Sequence, residues 1–337
     1  MKRRIAVLVA DDSRAARRTL ATLLGEAPDI EVVGEAADGV ETVRLAHELR
    51  PDVVTVDVQM PGMNGIEATA AIMAEAPCRV VVVCAVDRRE AVDLSFRAMA
   101  AGALEVIAKP APGEDTRAWG RRAVESVRLM AEIPVVRRQP KLSTHHAAAV
   151  RRVDAFGLVA STGGPAALAR ILAALPADLP IPLFVAQHIM PGFGPGLVRW
   201  LREESRLDVR VANEGQAARP GAAYFPPDGK DLTVDEDGLL RLPPCSGACH
   251  PSGDRLLESL AAAYGSRAGG AVLTGMGADG AHGLARVRRA GGLSLAQDAA
   301  TSVVFGMARA ARDAGAVGEL VPLDDIAPAI VSAARRR

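Results

Sequence analysis

Residues 156–175 read FGLVASTGGPAALARILAAL, and the order of residue types in that run decides the fold. Positions 156–160 are apolar throughout, with no polar residue to face water. That is the pattern of a parallel strand covered on both sides. Gly163 and Gly164 then let the backbone turn sharply. Pro165 suits the first turn of a helix, and the Ala- and Leu-rich stretch to residue 175 continues it. Strand, tight turn, helix is the building unit of a layered α/β sheet.

The alternation extends in both directions. Downstream, strands are expected at 182–188 and 208–211 around a helix at 194–204. Short runs at 222–225, 232–235 and 239–242, with Asp228-Gly229 and Asp237-Gly238 nearby, predict tight turns and an antiparallel extension. Helices at 252–264, 279–290 and 302–314 then alternate with strands at 270–274 and 293–296, and a last strand and helix lie within 318–334. Upstream, five strands (5–10, 30–36, 53–57, 80–84 and 105–107) alternate with helical spacing at 14–25, 39–49, 66–76, 89–101 and 115–133. Pro134, Pro140 and His145-His146 break the rhythm in a stretch without periodicity. The expectation is an α/β protein with two doubly wound parallel-sheet domains: residues 1–133, a linker at 134–152, and residues 153–337. A chain of 337 residues is long enough for two separate cores.

Composition agrees with this and excludes other classes. Hydrophobic residues make up 49% but aromatics only 3%, so the apolar content is Ala, Val and Leu, as buried strands and their covering helices require. Forty basic and forty acidic residues give no net charge, so the footprint of a nucleic-acid binder is missing. The apolar run at 5–10 is too short for a signal peptide and ends at Asp11-Asp12. No apolar run approaches the roughly 18 residues of a spanning helix. The expected setting is cytoplasmic, without membrane insertion. Four cysteines do not make a disulfide framework, and Cys245, Cys249 and His250 lack the second pair that a zinc site would need.

Two groups of polar residues fall where strands end. Asp11 and Asp12 follow the first strand, Asp57 ends the third and Lys109 follows the fifth. Ligand chemistry in doubly wound sheets gathers at the carboxyl ends of strands, so three carboxylates and an ammonium are expected in one crevice. Such carboxylates suit a hard cation such as Mg²⁺. In the second half, Ser161, His188 and Asp279 each follow a strand, supplying a hydroxyl, an imidazole and a carboxylate. A serine needs a base to become a nucleophile, and a carboxylate orients that base. Backbone N–H groups at the helix start after Ser161 suit a developing oxyanion. Taken singly, each residue reads equally well as a cap or a loop residue, and spacing alone does not show that the three meet. Glycine-rich turns could also bind nucleotide phosphate, yet neither dinucleotide nor P-loop spacing occurs in a strand–helix setting.

Residues 1 to about 130 resemble response-regulator receivers through Asp11-Asp12, Asp57 with Met60-Pro-Gly-Met-Asn-Gly65, and Lys109-Pro110. Residues 156 to about 330 resemble the catalytic domain of chemotaxis protein-glutamate methylesterases. The motifs are Ala160-Ser-Thr-Gly-Gly164, Gln187-His188, Tyr224-Phe-Pro-Pro227, His250-Pro-Ser252 with Asp254, Leu273-Thr-Gly-Met-Gly-Ala-Asp-Gly280, Ala296-Gln-Asp298 and Ser302-Val-Val-Phe-Gly-Met307. The resemblance implies a flavodoxin-like receiver ahead of a Rossmann-like methylesterase. It implies phosphorylation of Asp57 by a histidine kinase, with Mg²⁺ held by Asp11, Asp12 and Asp57 and the phosphoryl group contacted by Lys109 and residue 84. It further implies Ser161 as nucleophile, His188 as general acid/base and Asp279 as orienting carboxylate. Thr162, Gly163 and Met276 would border the reacting carbonyl, and the esterase would need no cofactor. The implied substrate is a methylated chemoreceptor glutamate, with deamidation of receptor glutamine as a second reaction, and the unphosphorylated receiver would cover the esterase cleft. Five positions depart from the pattern, two of them being Ile189 between His188 and Met190-Pro191 and Ala308 where a proline usually follows Phe-Gly-Met. Cys84 stands where receivers carry Ser or Thr, Val106 where a switch aromatic is expected, and Asp231 where the esterases frequently have His.

Overall fold

A computed structural model describes residues 3–85, 89–110, 113–133, 152–245 and 250–335. The chain divides into two compact units, Met1–Gln139 and Pro140–Arg337. Almost all of the expected linker, and Cys249, lie outside the described residues.

The first unit runs β1 (Ile5–Ala10), α1 (Arg14–Gly25), β2 (Ile30–Ala36), α2 (Gly39–Leu49), β3 (Val53–Asp57), α3 (Gly65–Glu75), β4 (Arg79–Cys84), α4 (Arg89–Ala101), β5 (Glu105–Ala108) and α5 (Thr116–Ala131). Its five strands lie in the order β2-β1-β3-β4-β5, all parallel. All five residues of central β3 are buried, which explains its uninterrupted Val-rich run. Helix starts are encoded locally: Ser13 and Asp38 cap α1 and α2, and Asn64 with Glu67 forms a capping box on α3.

The second unit runs β6 (Ala155–Ala160), α6 (Gly164–Ala174), β7 (Leu183–Gln187), α7 (Gly194–Glu204), β8 (Asp208–Val211), β9 (Ala222–Phe225), β10 (Thr233–Val234), β11 (Leu240–Arg241), α8 (Gly253–Tyr264), β12 (Ala268–Val272), α9 (Ala281–Arg289), β13 (Leu293–Gln297), α10 (Met307–Asp313), β14 (Glu319–Val321) and α11 (Leu323–Ala334). Seven parallel strands form the sheet β14-β13-β12-β6-β7-β9-β8. The chain moves outward from β6 to one side and then returns to lay β12 on its other side. The switch point therefore falls between β6 and β12, where a doubly wound sheet opens a crevice for ligands.

Three expectations shift. Among the described residues the antiparallel extension is the strand pair β10–β11 with isolated bridges at Ala217–Leu239 and Lys230–Pro244, because β9 joins the main sheet between β7 and β8. All four residues of β9 are buried, so it behaves as an interior strand despite the turn residues around it. β12 begins at Ala268 rather than at residue 270. Its glycines are part of the strand because they make room: a Cβ on Gly269 would lie 2.3 Å from the Phe156 ring, and one on Gly270 would lie 2.9 Å from Leu257. The helix expected from residue 302 starts at Met307. The preceding residues are held instead by the loop after β12, with Gly275 N donating to Val304 O and Val304 N to Thr274 Oγ1.

Candidate active site

Ser161 leaves β6 in a turn closed by Gly164 N donating to Ser161 O at 2.7 Å. Gly163 has φ 75° and ψ −2°, the geometry that the third residue of a type II turn requires. A side chain there would be strained, and its Cβ would lie 2.6 Å from Val303. His188 follows β7, which pairs with β6 in a register that sets Ala160 opposite Gln187. Ser161 and His188 therefore emerge from neighbouring strands at the same level, and His188 N donates to Ala160 O at 2.9 Å. Asp279 comes from the loop after β12, on the other side of β6.

The imidazole and the carboxylate meet: His188 Nε2 lies 2.7 Å from Asp279 Oδ2. An ionised carboxylate can only accept, so Nε2 carries a proton, and in the neutral ring the lone pair is then on Nδ1. Among the described residues no hydrogen bond joins Ser161 to that ring. The two are brought side by side by strand register.

Asp279 is further held by the start of α8. Gly253 N donates to Oδ2 at 2.6 Å, Asp254 N to Oδ1 at 3.0 Å, and Ser252 Oγ to Oδ1 at 3.3 Å. Burial by itself would raise its pKa, but the hydrogen bonds from His188, Gly253 and Asp254 outweigh it and hold the carboxyl below the ordinary aspartate range. The carboxylate beside the imidazole is thus kept charged.

Two backbone N–H groups border the serine. The Ser161 carbonyl accepts from Gly164 N and from Gln187 Nε2 at 2.9 Å. The Gly275 carbonyl accepts from Gly306 N at 3.2 Å and Met307 N at 2.9 Å. In each planar trans peptide the N–H points opposite to the pinned carbonyl. Those groups are Thr162 N–H and Met276 N–H, and neither has an acceptor among the described residues. Gly275 packs against the serine so closely that a Cβ on it would lie 2.7 Å from Ser161 Cβ. Two unspent donors beside a hydroxyl are what a tetrahedral oxyanion requires.

Several supporting residues were not legible as such in the sequence. Thr274 Oγ1 donates to Thr162 O at 2.9 Å while Thr274 N donates to the buried Gln297 Oε1 at 2.8 Å, tying the loop after β12 to the Ser161 turn. Asp231, fully buried, accepts from Ser252 N at 2.8 Å and pairs with Arg255 at 2.6 Å, fixing the start of α8 from the far side. Ser252 ahead of an amphipathic run did mark a helix start. Nothing in the sequence says that this start faces residue 279.

The first unit gathers its own cluster. Oxygens of Asp11, Asp12 and Asp57 lie within 4.8 Å of one another. Lys109 Nζ bridges two of them, at 2.8 Å from Asp11 and 2.7 Å from Asp57. Three carboxylates face one ammonium, so the cluster is short of positive charge and its oxygen donors fit a hard divalent cation. Burial raises the Asp57 pKa, and Lys109 opposes that rise. Lys109 is itself disfavoured by burial, but the bonds to Asp11 and Asp57 push its pKa up. Cys84 ends β4, fully buried. Burial first, then the nearby Asp57 charge, push its thiol up to about 12, against the smaller effects of Ser95 and Lys109. It stays a neutral thiol, a weak donor where a hydroxyl is the usual choice. Among the described residues no helix is long and apolar enough to cross a membrane.

Comparison with known proteins matches this division. The family model for the response regulator receiver domain matches residues 7–118, and that for CheB methylesterase matches residues 156–330. The chain is 54% identical over 326 residues to protein-glutamate methylesterase/protein-glutamine glutaminase 3 of Myxococcus xanthus (strain DK1622), covering 96% of this chain and 92% of that one. It is 45% identical over 342 residues to the protein of the same name from Anaeromyxobacter dehalogenans (strain 2CP-C), covering 98% and 100%. The crystal structure of the Thermotoga maritima CheB methylesterase catalytic domain superimposes with a TM-score of 0.52 at 32% identity, covering 53% of this chain and 98% of that one. With a receiver cluster at one set of strand ends and a Ser, His and Asp at the other, the chain belongs to the CheB methylesterase family and carries a response regulator receiver domain ahead of its catalytic part.

Proposed function

We propose that this protein hydrolyses glutamate methyl esters on chemoreceptors to glutamate and methanol, under control of phosphorylation at Asp57, and that it also deamidates receptor glutamines. The observation that carries this reading is the His188–Asp279 pair at 2.7 Å, set beside a serine bordered by two unspent N–H groups. In the proposed reaction His188 Nδ1 takes the Ser161 proton as Oγ attacks the ester carbonyl carbon. Thr162 N–H and Met276 N–H receive the oxyanion, and Gly163 provides the turn that allows it. The intermediate collapses with the proton passing from His188 to the departing methoxide. Water, deprotonated by the same ring, then releases the glutamate. A glutamine amide presents the same acyl centre, with ammonia leaving in place of methanol. Asp279 holds the ring in the tautomer with Nδ1 free and stabilises the imidazolium.

In the receiver, Asp57 is the proposed phosphate acceptor from a histidine kinase. Asp11, Asp12 and Asp57 are the residues that would hold Mg²⁺, which offsets the charge of a phosphoryl group when bound. Lys109 is positioned to pair with the phosphoryl oxygens, and Cys84 occupies the place from which a hydroxyl would contact them. The proposed organisation is a receiver at residues 1–133, a linker at 134–152 and a catalytic domain at 153–337, acting in the cytoplasm with the kinase and the receptors as partners.

The direct test is methanol release from methylated receptors, with and without a small-molecule phosphodonor. Ser161→Ala should lose at least about 10³-fold in rate, and the phosphodonor should accelerate the wild type but not Asp57→Asn. Methanol release that survives in Ser161→Ala would sink the assignment.

A further inference from the structure

Gln187 ends β7 and is 3% exposed. Its Nε2 spends both hydrogens on carbonyl oxygens, that of Ser161 at 2.9 Å and that of His188 at 2.8 Å. Among the described residues its Oε1 is buried without a hydrogen-bond partner. A buried, unpaired acceptor calls for an explanation, and burial alone does not supply one, since an apolar side chain would fill the same space without an orphaned oxygen. Turning the amide over is no remedy, because Oε1 would then face two carbonyl oxygens. The neighbouring chain has adapted to this orientation: a Cβ on Gly164 would lie 2.0 Å from Oε1.

We infer that Gln187 is a positioning residue that aims the Thr162 N–H at the reacting carbonyl oxygen, while tying the nucleophile turn to the backbone of His188. The inference rests on Ser161 being the nucleophile. The Ser161 carbonyl has two acceptor positions, and Gly164 N at 2.7 Å takes one of them. Gln187 takes the other, so the 161–162 peptide cannot rotate, and its N–H is fixed on the opposite side. At the second donor the backbone does the same job unaided, through Gly306 N and Met307 N on the Gly275 carbonyl. Of these two donors, Thr162 is the one for which half of the hold comes from a side chain, so there a side-chain substitution can remove it. The bond to His188 O adds a second restraint, since one amide group then spans the segments carrying nucleophile and base.

The test uses the full-length protein with Gln187→Met, which keeps the length and removes both donors and the orphaned acceptor, and with Gln187→Glu, which keeps the shape and replaces the donors with acceptors. Methanol release gives kcat and KM. A p-nitrophenyl alkylphosphonate, whose phosphoryl oxygen occupies the oxyanion position, gives a rate of covalent labelling, located by mass spectrometry. For Gln187→Met the expected outcome is a kcat lower by about 10- to 100-fold, KM within about twofold, phosphonylation slowed in proportion, and a melting midpoint close to wild type. Gln187→Glu should lose at least as much. Wild-type protein labelled at a residue other than Ser161 overturns the nucleophile assignment and this inference with it. Labelling at Ser161 at equal rates in wild type and variants overturns the inference alone, as does a loss confined to KM or to stability. If neither variant folds, the wild type still offers a refutation. The Thr162 amide proton should move downfield in NMR spectra of the Ser161 phosphonyl adduct, and a resonance that does not move refutes the inference.

Discussion

At the scale of single residues, Asp279 shows how one carboxylate serves two ends. It accepts the His188 Nε2 proton and two backbone N–H groups from the start of α8, so its four lone-pair positions are nearly filled. Asp279→Asn would present an NH₂ group to donors that need an acceptor, and the ring could answer by moving its proton to Nδ1, the nitrogen that must be free for Ser161. A loss of about 10³- to 10⁴-fold in kcat is expected, with substrate still bound, by analogy with the same exchange in other Ser-His-Asp enzymes. The pKa shift gives a second reading of the same variant. The Asp279 carboxyl is held below its ordinary value of 3.8, so its contribution to stability is fully present above 3.8 and is lost as pH falls through the lower folded value. Thermal melts of wild type and Asp279→Asn should therefore differ by a constant amount at neutral pH, and the difference should shrink below pH 3.8. A gap that widened on acidification would contradict this assignment of its charge state.

At the scale of elements, the first turn of α8 is the hinge between fold and chemistry. Its N–H groups are shared out: Ser252 N to Asp231, Gly253 N and Asp254 N to Asp279, and Arg255 N to Ser252 Oγ. Asp279 lies at the positive end of the helix dipole, which favours its ionised form. There is no room for adjustment, since a Cβ on Gly253 would lie 2.1 Å from Val159 and 3.1 Å from Asp279 Oδ2. Asp231→Ala removes the acceptor of Ser252 N and the ionic partner of Arg255, a side chain 37% exposed that water can partly rescue. A destabilisation of roughly 2–4 kcal/mol is expected in urea unfolding. A fall in kcat should accompany it, because the turn that orients Asp279 loses its anchor. A variant of unchanged stability would show that this buried ion pair contributes nothing net.

At the scale of the whole molecule, phosphate on one unit must alter hydrolysis on the other, and a ligand or modification shifts a two-state equilibrium only by its differential affinity for the states. If the unphosphorylated receiver restrains the esterase, removing residues 1–140 should raise basal methanol release, and the truncated protein should ignore a phosphodonor. An unchanged basal rate would reject restraint as the mode of control. How much could be read beforehand follows the range of the forces involved. Strands such as β1, β3 and β6 were legible, because burial on both faces leaves a local pattern. Element limits went astray where tertiary contacts overrode local preference, as in the glycines of β12 and the segment before α10. The residue types of the candidate site, and their places at strand ends, were already determined by the sequence, since the alternation of strand, turn and helix dictates a parallel sheet. Which carboxylate meets His188, which N–H groups stay unspent, and what Gln187 and Asp231 hold were decided only by the tertiary structure. Those relations join residues as many as 91 positions apart, and a contact between distant segments leaves no periodicity in the chain.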